Sequence, residues 1–165
     1  MAEALKSAAI TNRDATPAVL SRSDLAAGQL REAYGAVTTT TAGTATSTYT
    51  MCSVPSYARV SEILLSTAAM AGSTAADLGV YQTTANGGAF VDKDFFAAAL
   101  TLVSALTNSQ ISMTQTVNTI TKQGQPLWQA LGESADTNRD YDIVFTVTTA
   151  VNTGGLLGIK VRYTV

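Results

Sequence analysis

The cleanest alternation of apolar and polar positions lies near the C-terminal end. Ile143, Phe145 and Val147 oppose Val144, Thr146 and Thr148, and Leu157, Ile159, Val161, Tyr163 and Val165 oppose Gly158, Lys160, Arg162 and Thr164. A period of two sends successive side chains to opposite faces, so these runs predict two antiparallel strands, joined as a hairpin through Asn152-Thr153-Gly154-Gly155. Further upstream a Thr-rich run, with Thr44, Thr46, Thr48 and Thr50 against Ala45, Tyr49 and Met51, predicts a β-branched strand over 37–50 that is closed off by Pro55. Between Tyr57 and Ser66 the apolar positions Val60, Ile63, Leu64 and Leu65 fit neither period cleanly, and the β-branched content favours a strand. Leu78 to Thr83 reads as another short strand, followed by Asn86-Gly87-Gly88 for a tight turn.

The period then changes. Phe95, Ala99, Leu102 and Leu106, flanked by Phe96, Leu100 and Val103, recur at helical spacing, with Asp92 placed as an N-cap and Asp94 in the first turn. This predicts one mid-chain helix over about 92–107 with its aromatic pair in the core. Gln110 to Thr121 alternates loosely and is expected to add a strand. Pro126 to Leu131 has the proline of a helix start and Gly132 to end it, a single turn whose Trp128 is expected to plug the core.

Strands broken by one helix, without a βαβ rhythm, predict a mainly β fold: an antiparallel β-sandwich or jelly-roll-like domain over 37–165 with one mid-chain helix. Residues 1–36 show no sustained period and scatter their charges around Pro17 and Gly28, so they are expected to form an extended N-terminal arm. Such a segment cannot bury enough apolar surface by itself to offset roughly 1–2 kcal/mol per residue of backbone ordering, and it needs another surface to lie on.

Composition narrows function by exclusion. The 165 residues contain no histidine, which removes the side chain that titrates nearest neutral pH and the commonest nitrogen ligand of metals. A Ser or Thr nucleophile would need a lysine or the terminal amine as its base, and no lysine has a recognisable partner motif. Asp136, Asp140 and Asp142 with Asn138 resemble part of a calcium loop but lack its glycine and closing glutamate, and they read instead as an Asx-rich turn before a strand. Gly154-Gly155 and Gly158 open no helix, so no phosphate cradle is expected. The chain is therefore expected not to be an enzyme and to hold no cofactor and no metal.

A net charge of -2, from 10 basic and 12 acidic residues, gives no field that would gather nucleic acid or an anionic membrane. No apolar run approaches the ~20 residues that span a bilayer, and the first ten residues lack the features of a signal peptide. Only 13% of the residues are charged, so a surface rich in Thr, Ser, Asn, Gln and Gly can be covered by a neighbour at little cost in ion desolvation. The single cysteine, Cys52, is expected as a small buried hydrophobe.

Two stretches carry a family resemblance. Asn12-Arg13-Asp14-Ala15-Thr16-Pro17 with Gly28-Gln29-Leu30-Arg31, and Ala76-Asp77-Leu78-Gly79-Val80-Tyr81 with Gly87-Gly88-Ala89-Phe90-Val91-Asp92-Lys93-Asp94-Phe95-Phe96, resemble segments of the head decoration, or cement, proteins of tailed bacteriophages. The resemblance runs from Asn12 to Val165. It implies a jelly-roll-like domain bound outside the capsid by the major capsid protein, as a homo-oligomer and often a trimer, with an arm reaching across neighbouring subunits. The residues it offers for partner contact are Arg13, Asp14, Pro17, Arg22 and Arg31 in the arm and Lys160 and Arg162 on the last strand. Two other readings fit the same chain: a tail, connector or head-fibre component, and a carbohydrate-binding β-sandwich drawing on the six tyrosines.

Overall fold

The computed structural model describes residues 15–17, 28–40, 43–70, 75–111, 120–151 and 153–165. Among the described residues, eight strands form two four-stranded antiparallel sheets. In chain order they are β1 (Leu30–Thr38), β2 (Thr48–Pro55), β3 (Arg59–Thr67), β4 (Ala75–Gln82), β5 (Phe90–Thr101), β6 (Leu106–Gln110), β7 (Asp140–Val147) and β8 (Leu156–Thr164). A 3-10 turn, Thr84–Asn86, links β4 to β5, and two single-turn helices, α1 (Ile120–Gln123) and α2 (Leu127–Ala130), lie between β6 and β7.

The strands pair by a simple rule: the first with the eighth, the second with the seventh, the third with the sixth and the fourth with the fifth. That is one long antiparallel hairpin, and rolling it up adds the β3–β8 and β4–β7 ladders. The resulting sheet orders, β1-β8-β3-β6 and β2-β7-β4-β5, are those of an eight-stranded jelly roll, so the sandwich expected from the sequence is the fold observed.

Burial on β8 alternates along the whole strand. Leu157, Ile159, Val161 and Tyr163 face inward, and their neighbours face out. On the facing sheet Ala76, Leu78 and Val80 of β4 and Ile143, Phe145 and Val147 of β7 complete the layer, and Val54, Ile63, Phe95 and Phe96 fill the space between. Full burial of each such side chain contributes roughly 1.5–3 kcal/mol.

The sheets close on each other along the β1 and β2 edges. A Cβ at Gly35 would stand 1.8 Å from the Met51 carbonyl oxygen, so only glycine lets the two backbones approach this closely.

The mid-chain helix is not formed: residues 90–101 are strand β5. The physical reason is a large bulge. Leu78 pairs with Ala97 and Val80 with Asp92, so two steps along β4 are matched by five along β5. The excess residues break the period of two and leave Phe95, Phe96 and Ala97 buried in succession, which imitates helical spacing in the sequence. Ala99 and Val103, assigned to the apolar stripe, are exposed. Asp92 caps no helix; its Oδ1 accepts the Asp94 N–H at 3.3 Å inside the strand. Asp77 of β4 is buried and organises the irregularity, accepting the Ala99 N–H at 2.8 Å while Lys93 reaches its other oxygen at 3.4 Å.

Further expectations change. The last two strands do not form a hairpin: β7 lies in one sheet and β8 in the other, and their connection crosses between sheets. That connection is tied to the end of β1 by Thr39, whose hydroxyl accepts the Gly155 N–H at 3.0 Å. The Thr-rich run is not one strand, because β1 ends at Thr38 and β2 begins at Thr48. Trp128 does not plug the core; it is half-buried at the surface, while its neighbours Leu127 and Ala130 are buried. Of the range 110–121 expected as a strand, Gln110 is the last residue of β6, Ile120 and Thr121 open α1, and residues 112–119 lie outside the described residues.

Ile159 is buried and Lys160 projects from the opposite face. We expect Ile159→Ala to lower unfolding free energy by about 2–5 kcal/mol and Lys160→Ala to change it by less than about 0.5 kcal/mol. Denaturant melts of both variants check this, and equal losses would contradict the half-buried strand.

Candidate functional site

The outer face of the β1-β8-β3-β6 sheet reads as rows across three strands. Glu32, Arg162 and Glu62 are in register in the first row, Tyr34, Lys160 and Leu64 in the next, and Ala36, Gly158 and Ser66 in the third.

The first row is an ion network. Arg162 donates from Nε to Glu32 Oε1 at 2.8 Å and from Nη1 to Glu62 Oε2 at 2.6 Å, and Lys160 Nζ stands 3.7 Å from Glu32 Oε2. Two cations and two carboxylates thus cancel. The Arg162 guanidinium hydrogen-bonded to it holds the Glu32 carboxyl below the usual carboxylate value, and the two carboxylates raise Arg162 in turn. Because the folded value is depressed, this contribution is present above the ordinary carboxylate range and is lost as pH falls through the lowered value.

Beyond the network the face is apolar and dished. A depression of about 270 Å³ is lined by Tyr34, Ala36, Leu64, Leu156 and Gly158, with Lys160 at its rim. Its floor is low because Gly158 has no side chain, and its walls stand open: Tyr34 is 77% exposed and Leu156 53%. Exposed large apolar side chains gathered on one strand pair mark an interaction surface more than a solvated one.

Of the residues offered for partner contact, Lys160 and Arg162 fall on this face, and both are already engaged with glutamates of the same chain. Arg31 is exposed in β1, at the end of the same sheet. The last seven residues assigned to the arm, 30–36, are therefore strand. Pro17 is exposed within the short described piece 15–17, and Arg13, Asp14 and Arg22 lie outside the described residues. Sequence reasoning missed Tyr34, Ala36, Leu156 and Gly158 as a surface. The available signal was the alternation of Tyr34 and Ala36 with Ala33, Gly35 and Val37, which is weak because most of those residues are small.

The overall fold has a counterpart among solved structures. One chain of the structure described as "Cyanophage Pam1 capsid asymmetric unit" superposes with a TM-score of 0.54 at 18% identity. The match covers 84% of this chain and 86% of that one, so the two are of similar length. At this identity the likeness is one of fold. No family model matches the chain, and no curated protein does.

The Asp-rich turn before β7 is committed to structure. Asp136 Oδ1 takes the Ser56 hydroxyl and the Asn138 N–H, and Asp142 takes the Ser53 hydroxyl, so the Asp-rich turn serves the backbone as an Asx turn. Among the described residues no three His, Cys, Asp or Glu side chains stand together as a metal would require. No helix among them is long and apolar enough to cross a membrane, which leaves membrane-spanning strands unaddressed.

Cys52 is partly buried beside Asp142, and burial first, then that carboxylate, pushes its thiol up to about 12. At that value the thiol stays protonated through the neutral range, and because only the thiolate reacts readily it is a slow nucleophile. We expect a disulfide reagent at pH 8 to label the native protein far more slowly than the denatured one; equal rates would mean an open, ordinary thiol.

Proposed function

We propose that the protein is a virion structural component without catalytic activity, a capsid decoration or cement protein. It seats the outer face of the β1-β8-β3-β6 sheet on the outside of an icosahedral head and stabilises the shell by bridging neighbouring subunits. The observation that carries this reading is the fold likeness, over similar lengths, to a chain of a phage capsid asymmetric unit. The surface supports it: a charge-neutral network beside an apolar depression can be covered by a neighbour without stranding an unpaired ion.

The mechanism is mass action. A protein that binds the assembled lattice and not its dissociated subunits adds its binding free energy to the lattice alone, and so opposes expansion and rupture. The partner is the major capsid protein, and a trimer would place three such faces around a symmetry axis. The segment before β1, with Arg13, Asp14, Pro17 and Arg22, is the arm that extends the contact across a subunit joint.

Tyr34→Glu and Leu156→Glu change exposed positions and are expected to leave unfolding free energy within about 0.5 kcal/mol of the parent. Each should weaken co-sedimentation with purified shells at least tenfold. Unaltered binding by both variants would contradict the assignment of this face. Deleting residues 1–25 should likewise reduce shell binding far more than it lowers the melting temperature.

A further inference from the structure

A second concave site lies away from the sheet face, where the turn between β2 and β3 meets α2 and the lead-in to β7. Its walls are fixed by backbone hydrogen bonds: Leu127 N–H to Ala58 O at 2.8 Å, Trp128 N–H to Ser56 O at 3.0 Å and Ser56 N–H to Arg139 O at 2.7 Å. Ser56 is fully buried and its hydroxyl is bound to Asp136, so the cleft is built before any ligand arrives. It encloses about 330 Å³ and is lined by Tyr57, Arg59, Pro126, Trp128, Gln129 and Asp136.

We infer that this cleft binds a neutral pyranose sugar. Its volume falls at the small end of ligand pockets and suits one or two sugar rings. Two aromatic side chains, Tyr57 and Trp128, line it, and the apolar C–H face of a pyranose packs on such rings. The exposed Gln129 amide supplies both a donor and an acceptor for ring hydroxyls; beside it stand Arg59, tied to Gly124 O through Nε at 3.1 Å, and Asp136, whose Oδ1 holds Ser56 and Asn138. Arg59 and Asp136 offset each other in charge, which favours a neutral ligand over an ionic one. A polyproline peptide would also meet aromatic rings, but it needs an extended groove, and this cleft is short.

Trp128 is the only tryptophan, so its emission reports this site without labels. The full-length protein is titrated with methyl α-D-glucopyranoside, methyl β-D-galactopyranoside, N-acetylglucosamine and their trisaccharides, with decaproline as the counter-probe. Saturation-transfer NMR on the same samples detects binding that leaves emission unchanged. We expect at least one sugar to bind saturably, with half-saturation on the order of 1 mM, the weak end of the affinity scale. Tyr57→Ala, at an exposed turn position, should weaken it at least tenfold, and Gln129→Ala about fivefold, the worth of one hydrogen bond, with unchanged melting. The inference is overturned if no sugar binds by either readout, if decaproline binds and the sugars do not, or if Tyr57→Ala binds as tightly as the parent. It is independent of the capsid reading, because loss of the sugar response should leave shell co-sedimentation intact.

Discussion

Strand β8 is the member on which the structure depends. It hydrogen-bonds to β1 along one edge and to β3 along the other, so the β1-β8-β3-β6 sheet exists only once the C-terminal strand has been inserted between two N-terminal ones. Leu30 opposite Thr164 joins points nearly the whole chain apart, and that loop closure must be met before the pairing returns any stabilisation. Alternation fixes the outcome. A slip of one residue would turn Leu157, Ile159, Val161 and Tyr163 to solvent and bury Lys160 and Arg162, a cost far beyond the stability of a domain this size.

The same alternation connects fold to function. Inward residues of β8 hold the two sheets together, and outward residues set what a neighbour would meet: a glycine that lowers the floor of the depression, a lysine at its rim and an arginine clamped between Glu32 and Glu62. Because Arg162 bridges β1 and β3 through β8, the ion network holds the three strands of that surface in register as well as neutralising it. The opposite sheet departs from regularity where β5 carries its bulge, and there the buried Asp77 carboxylate replaces the missing ladder partners. Gly79 fits the same site, since a Cβ there would stand 2.2 Å from the Lys93 carbonyl carbon.

Much of the fold was legible in the sequence where side chains report a face directly. The alternation of β8 and of β7 and the Pro126 turn appear where the residues place them, and β4 overlaps its expected range but begins three residues before Leu78. The failures share one cause: local pattern is blind to what a strand is paired with. Residues 143–148 and 157–165 look like a hairpin because both alternate, yet rolling the long hairpin sends them to different sheets. The Phe95-Phe96 region looks helical because a bulge destroys its period, and β1 looks irregular because Gly35, Ala33 and Ala36 are too small to mark an inside and an outside. Gly35 is small because β2 lies against it, a tertiary reason with no local signature. The candidate face was hidden for the same reason. Tyr34, Leu64 and Leu156 are far apart in sequence and meet only across strands.

Composition spoke to function chiefly by exclusion, since a contact surface needs no motif, only faces that match. What gives the surface its direction is the pairing of an exposed apolar dish with a self-neutralised charge network on the one sheet that the C-terminal strand organises. The most direct measurement of the capsid reading proposed above is a cryo-EM reconstruction of phage shells to which the purified protein has been added. The outer face of β1, β8 and β3 should lie against the shell, with Tyr34 and Leu156 in contact with capsid subunits; the same face pointing into solvent, with the shell held by the other sheet, would contradict it.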